Sequence, residues 1–190
     1  MSVHDCDACG NPYFVSDGCF CGCGKDFVWV NTTEKLKEAV EELLRNHVMG
    51  IDIESTLRGK PCLLQIAGGA ENGKTYLIDL RAGLDPELLK PLMEKTPPLK
   101  LAHNASFENR MLKSLGVTLQ GVVDTLKLSR ERRPGVKGHS LQAVCERELQ
   151  ITLDKKQQKS DWARRPLTVE QIKYAAQDAQ VLLDVYERFL

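Results

Sequence analysis

The chain has 190 residues, 42% of them hydrophobic, with Lys+Arg and Asp+Glu balanced at 26 each. That length suits one domain with a proper core, and no apolar run approaches the ~20 residues that would cross a bilayer. The N-terminus carries His4, Asp5 and Cys6 rather than an apolar signal-peptide core, so the expectation is an intracellular protein, cytoplasmic if prokaryotic, with no membrane partner.

Five of the seven cysteines lie in the first 23 residues. The stretch "CDACGNPYFVSDGCFCGCG" has the spacing C-x2-C-x9-C-x-C-x-C. Residues 1–25 are therefore set apart as a Cys-rich zinc-binding extension, and 26–190 as the main domain. A Cys-x2-Cys pair followed by Gly forms a knuckle that aims two thiolates at one point, and a second cluster completes a tetrahedral Zn site. Cys6 and Cys9 are the surer half. Cys19, Cys21 and Cys23 offer three thiolates for two places. An iron–sulfur cluster and a reactive thiol pair stay open as alternatives.

Next, "FVWV" reads as a short strand. The helix after it is capped by Asn31 or Thr32 and has an apolar stripe of Leu36, Ala39, Val40, Leu43 and Leu44. "VMGIDIES", "PCLLQIAG" and "KTYLIDL" are three strands separated by glycine-containing turns, an antiparallel meander. "LDPELLKPLMEK" is a helix with Asp85 at its cap and Pro86 at the first helical position. "LKLAH" is a strand, "NASFENRMLKSLG" a helix that Gly116 can end, and "GVVDT" a further strand. Helices are expected to fill nearly all the remainder, the last with Thr168 and Gln171 as a capping box. The order implies an α/β or α+β sheet with helices packed on it. Cys62, Cys145, Trp29 and Trp162 read as packing residues.

The acids carry the chemistry. "GIDIES" places Asp52 and Glu54 two apart on a strand, so both point to one face while Ile51, Ile53 and Ser55 point to the other. Two carboxylates side by side on an apolar strand are costly unless a cation lies between them, and a hard divalent ion such as Mg or Mn is the natural occupant. A wet edge strand is the alternative. Glu108 follows a strand end at His103 and Asn104. Tyr174 and Asp178, four apart, lie on one face of the last helix. Two-metal phosphoryl-transfer sites need several carboxylates around ions roughly 4 Å apart. Charge is also uneven: Lys127 to Arg165 holds eleven Lys/Arg against five Asp/Glu. This is either a footprint for a polyanion or a set of solvated helix faces.

These segments together resemble the DEDDy class of 3′-5′ exonucleases, in its ribonuclease D-like branch. "GIDIES" is similar to the first exonuclease motif, "LAHNASFENRML" to the second and "YAAQD" to the third. "LDKKQQKSDWARRPLTVEQIKYAAQDAQVLLDVY" resembles the ribonuclease D pattern leading into the third motif. The resemblance covers about Phe27 to Leu190 and departs at Glu108, where the family usually has Asp, and at the Cys-rich start.

The resemblance implies a ribonuclease H-like fold, a mixed five- or six-stranded sheet flanked by helices. It implies two Mg or Mn ions held by Asp52, Glu54, Glu108 and Asp178, with Tyr174 orienting the attacking water. It implies hydrolysis from a free 3′ end to nucleoside 5′-monophosphates. Asp124 is a nearby acid and not an expected ligand. His103 and Asn104 are expected either to position substrate or to finish the strand. The Lys155, Lys156, Lys159, Arg164 and Arg165 cluster is expected on nucleic-acid phosphates. The rival expectations are an inactive exonuclease fold that only binds nucleic acid, an adaptor whose cysteine unit docks a protein partner, and a cysteine unit that itself grips nucleic acid.

Overall fold

The computed structural model describes residues 27–69 and 73–190, together with the backbone of two short strands, β1 (Val3–Asp5) and β2 (Pro12–Phe14), which pair antiparallel. The five N-terminal cysteines lie outside the described residues.

The main sheet has six strands: β3 (Phe27–Val30), β4 (Val48–Ser55), β5 (Pro61–Gly68), β6 (Thr75–Asp79), β7 (Leu99–Ala102) and β8 (Val122–Asp124). Their spatial order is β3-β6-β5-β4-β7-β8. β4, β5 and β6 form the antiparallel meander expected from the Gly-containing turns. β3 joins β6, β7 joins β4 and β8 joins β7, all parallel. β4 is thus flanked by neighbours on both sides and is not a wet edge strand.

Period-two alternation sorts the meander into two faces. Ile51, Ile53, Leu64, Ile66, Tyr76 and Ile78 pack with α1 (Thr33–Leu43), α2 (Lys90–Met93) and α3 (Ser106–Ser114). Leu63 and Leu77 pack on the opposite face against Ile172 and Ala175 of α6 (Val169–Phe189). Thr32 caps α1, and Thr168 with Gln171 forms the full capping box of α6. Gly116, at φ 78°, follows α3 in the left-handed region that glycine adopts without strain. Asp85 caps Pro86–Leu89, which is a 3-10 turn leading into α2. Pro91 supplies no backbone N–H, which favours a tight first turn there over regular helix.

One expectation fails. Helices do not fill the C-terminal third: between α4 (Thr125–Arg132), α5 (Leu141–Leu149) and α6, residues 133–140 and 150–168 are irregular. Pro134, Gly135 and Gly138 break the first segment, and Pro166 restricts the end of the second. Among the described residues, no helix is long and apolar enough to cross a membrane.

Candidate active site

β4 presents Asp52 and Glu54 toward α6, and Gly50 on the same strand face sets how near α6 can come. A Cβ built on Gly50 would lie 2.1 Å from the Ala179 carbonyl oxygen. Only glycine permits this approach, which brings Asp178, the residue before Ala179, over the acids of β4. Carboxylate oxygens of Asp52, Glu54 and Asp178 lie within 4.8 Å of one another. Tyr174, one helical turn earlier, lies near enough to the Asp178 carboxylate to influence its ionisation.

Glu108 arrives from the first turn of α3 and is 2% exposed. Its Oε2 is buried without a hydrogen-bond partner, yet the residue lines the same cleft as the three other acids. Asp124 orients this helix. Its carboxylate accepts the backbone N–H groups of Asn104, Ala105 and Leu126 at 3.0–3.2 Å. Asp124 is therefore occupied in holding the β7–α3 turn and the start of α4.

The electrostatics of the acids are unfavourable without a counter-charge. Burial, then Asp52, Asp178 and Glu108, push Glu54 up to about 10. Burial and Asp52 push Glu108 up to about 8. Burial also raises Asp52, with Asp178 adding to it, and raises Asp178 against the partial relief of Tyr174 and Lys155. Tyr174 moves upward through burial and the Asp178 carboxylate, so its proton stays on. Converging oxygen donors that repel one another and an unpaired Glu108 oxygen fit hard divalent cations such as Mg or Mn.

The cleft above these acids has a volume of about 470 Å³. Lys155 and Lys159 border it, as do His103 and Asn104. Both His103 ring nitrogens are engaged, Nδ1 with the Thr125 hydroxyl at 3.0 Å and Nε2 with the His139 carbonyl at 2.8 Å. Burial holds its pKa down, so the ring is neutral and ties 133–140 to the end of β7. Asn104 takes a left-handed φ of 71°, and its Oδ1 accepts from the Ser106 hydroxyl.

Arg164 and Arg165 are not among the cleft-lining residues. The Arg165 guanidinium donates to both Asp79 oxygens at 2.8 and 2.5 Å and to the carbonyls of Cys62, Trp162 and Arg164. It also lies 5.7 Å over the Trp29 ring. These contacts fasten the irregular 150–168 segment to the sheet. Gln171 adds a second tie through Ser160 Oγ and the Asp161 carbonyl. Lys156 is exposed and faces Asp154 at 3.6 Å.

Sequence reading gave no role in the site to Trp162 or Gly50. Trp162 does pack, at 1% exposed, but it also lines the cleft with its ring centroid 6.0 Å from that of Tyr174. Its place in "SDW", beside the basic cluster, was the available signal. Gly50 was visible as a glycine inside a strand, which marks close backbone approach.

Residues 27–190 match the family model described as 3′-5′ exonuclease. DNA polymerase I of Aquifex aeolicus is 32% identical over 163 residues, covering 86% of this chain and 27% of that protein. Ribonuclease D of Desulfotalea psychrophila is 29% identical over 158 residues, covering 80% of this chain and 41% of that protein. The chain thus spans well under two thirds of the length of these curated relatives. Escherichia coli RNase D, whose crystal structure is described as that of an exoribonuclease involved in structured RNA processing, superposes with a TM-score of 0.75 at 27% identity. That likeness covers 86% of this chain and 44% of that one. Residues 27–190, which hold the six-stranded mixed sheet, match that model, and the chain belongs to the 3′-5′ exonuclease family.

Proposed function

We propose that this chain hydrolyses nucleic acid from a free 3′ end, releasing nucleoside 5′-monophosphates. The observation that carries the reading is the convergence of the Asp52, Glu54 and Asp178 carboxylates within 4.8 Å, with Tyr174 one helical turn from Asp178 in the same cleft. These three acids and Glu108 would hold two Mg or Mn ions. Bound there, such ions lower the pKa of a water and stabilise a leaving 3′-oxygen.

The chain's own residues supply position. Tyr174 keeps its proton, so it orients a water and does not act as a strong base. Its ring is held beside that of Trp162. Lys155 and Lys159 stand at the cleft mouth, where a phosphate backbone would pass. Arg165 shapes the wall that carries them and does not contact phosphate. Cys6, Cys9 and two of Cys19, Cys21 and Cys23 would hold a structural Zn, and that unit would dock a protein partner in the intracellular space. The two curated relatives above are a DNA polymerase and a ribonuclease by name, so either sugar is a candidate substrate.

A second reading, a weak or inactive exonuclease fold that binds nucleic acid, is favoured by one observation. Glu108 stands outside the group of three mutually close carboxylates. A time course on 5′-labelled single-stranded DNA and RNA with Mg or Mn separates the two. Shortening from the 3′ end, abolished by Asp52→Ala and slowed by Tyr174→Phe, is the expected result. Binding without shortening under either metal selects the second reading.

A further inference from the structure

Gln65 stands on β5 where the surrounding sheet face calls for an apolar side chain. It is 0% exposed. Its neighbours along the same face are Leu63 and Ala67, and α6 packs across β4, β5 and β6. Both polar atoms of its carboxamide are buried and, among the described residues, have no hydrogen-bond partner. A buried amide in that condition is destabilising, and an apolar residue of the same shape would be neutral or better. Volume does not explain a glutamine, because Leu or Met fills similar space.

The strand register does. Gln65 pairs with Leu77 on one side and with Asp52 on the other. Directly opposed residues of antiparallel strands hold their Cβ atoms roughly 4.5–5.5 Å apart on one face. Asp52 is thereby within reach of the glutamine side chain. The Asp52 carboxylate has lone pairs beyond those a cation would take, and these can accept an N–H from the strand opposite. The Gln65 amide is the unengaged donor directly opposite it.

We propose that Gln65 is a positioning residue for the metal site, donating from Nε2 to the Asp52 carboxylate and fixing which carboxylate oxygen faces the cation. This rests on the two-ion reading above. It explains why a group unfavourable in the metal-free fold occupies that place.

The test is Mn²⁺ titration of the full chain, followed by calorimetry, and thermal melting in EDTA. The variants are Gln65→Leu and Gln65→Met, with Asp52→Asn as reference. Mn²⁺ affinity should fall roughly 10- to 100-fold in both Gln65 variants, as for other residues that orient metal ligands. Their melting temperature in EDTA should hold or rise, and saturating Mn²⁺ should restore kcat. A role confined to folding would give the opposite pattern. Unchanged affinity overturns the assignment. So does a lowered melting temperature in EDTA for both variants, since the amide would then support the fold itself. If Asp52→Asn leaves Mn²⁺ binding intact, the cation reading fails and Gln65's assignment falls with it.

Discussion

Replacing Asp52 with Asn should abolish nuclease activity and yet stabilise the protein in EDTA. Three carboxylates with oxygens within 4.8 Å of one another repel when ionised. At that separation and an effective dielectric near 20, each ionised pair costs about 3 kcal/mol. Partial protonation reduces this, because the folded pKa values are raised. A carboxyl with a folded pKa above its unfolded value binds its proton more tightly in the fold. Its stabilising effect is complete below the unfolded value and is lost as pH climbs through the folded one. For Glu108 that window runs from 4.5 to about 8, and for Glu54 from 4.5 to about 10. Metal-free wild type should therefore weaken between pH 5 and pH 8, while Mn should raise its melting temperature more at pH 8 than at pH 5. Asn at position 52 removes one charge from the cluster. A gain of about 1–3 kcal/mol corresponds to roughly 3–10 °C for a domain of this size. Thermal melts of both proteins at the two pH values, in EDTA and in Mn, provide the check. The reasoning is refuted if Asp52→Asn melts lower than wild type in EDTA at pH 8, or if Mn stabilises both proteins equally.

The remaining predictions concern positions that differ in kind. Tyr174→Phe keeps the ring against Trp162 and removes only the hydroxyl; kcat should fall roughly 10- to 100-fold with KM nearly unchanged, in steady-state kinetics on a labelled oligonucleotide. Lys155→Ala should lower the salt slope of nucleic-acid binding by about one unit without moving the melting temperature. Arg165→Met should do the reverse, leaving the slope intact while costing about 3 kcal/mol through the stranded, 6%-exposed Asp79; a slope that tracks Arg165 instead would restore it as a phosphate contact. Gly50→Ala forces β4 and α6 apart, and about 1–3 kcal/mol of stability should disappear together with tight Mn binding.

The regular elements were legible where apolar periodicity decides the structure. The alternation of Ile51 and Ile53 with Asp52 and Glu54 names the buried face and the acid face without reference to any partner. The 3.6-residue repeat of α6 does the same for Tyr174 and Asp178. The segments 133–140 and 150–168 were not legible, because long-range polar contacts hold them in place. Arg165 meets Asp79 from 86 positions away, and His103 reaches a carbonyl 36 positions on. Local sequence shows such residues only as a charge or an imidazole. Arg165 and the lysines beside it are equally basic, and only their surroundings separate an internal tie from residues at the cleft mouth. Asp124 is the acidic counterpart: a carboxylate near the cluster whose oxygens the backbone already occupies.

The acids of this site could not come together by their own interactions, since Asp52, Asp178 and Glu108 all raise the pKa of Glu54, and Asp52 raises that of Glu108. Their convergence is imposed by features that carry no charge in the chemistry. Gly50 admits α6 against β4, Asp124 fixes the start of α3 so that Glu108 faces inward, and Arg165 and Gln171 hold the wall across the cleft. A scaffold that forces buried carboxylates together stores their repulsion in the metal-free state. A divalent ion held there would relieve it, and metal binding and folding stability would then be linked in one equilibrium. Changes at Gly50 or Asp124, far from any role as ligand, should then alter ion affinity as surely as loss of an acid does. Gln65, opposite Asp52 across the β4–β5 ladder, would complete that linkage as the donor to its carboxylate.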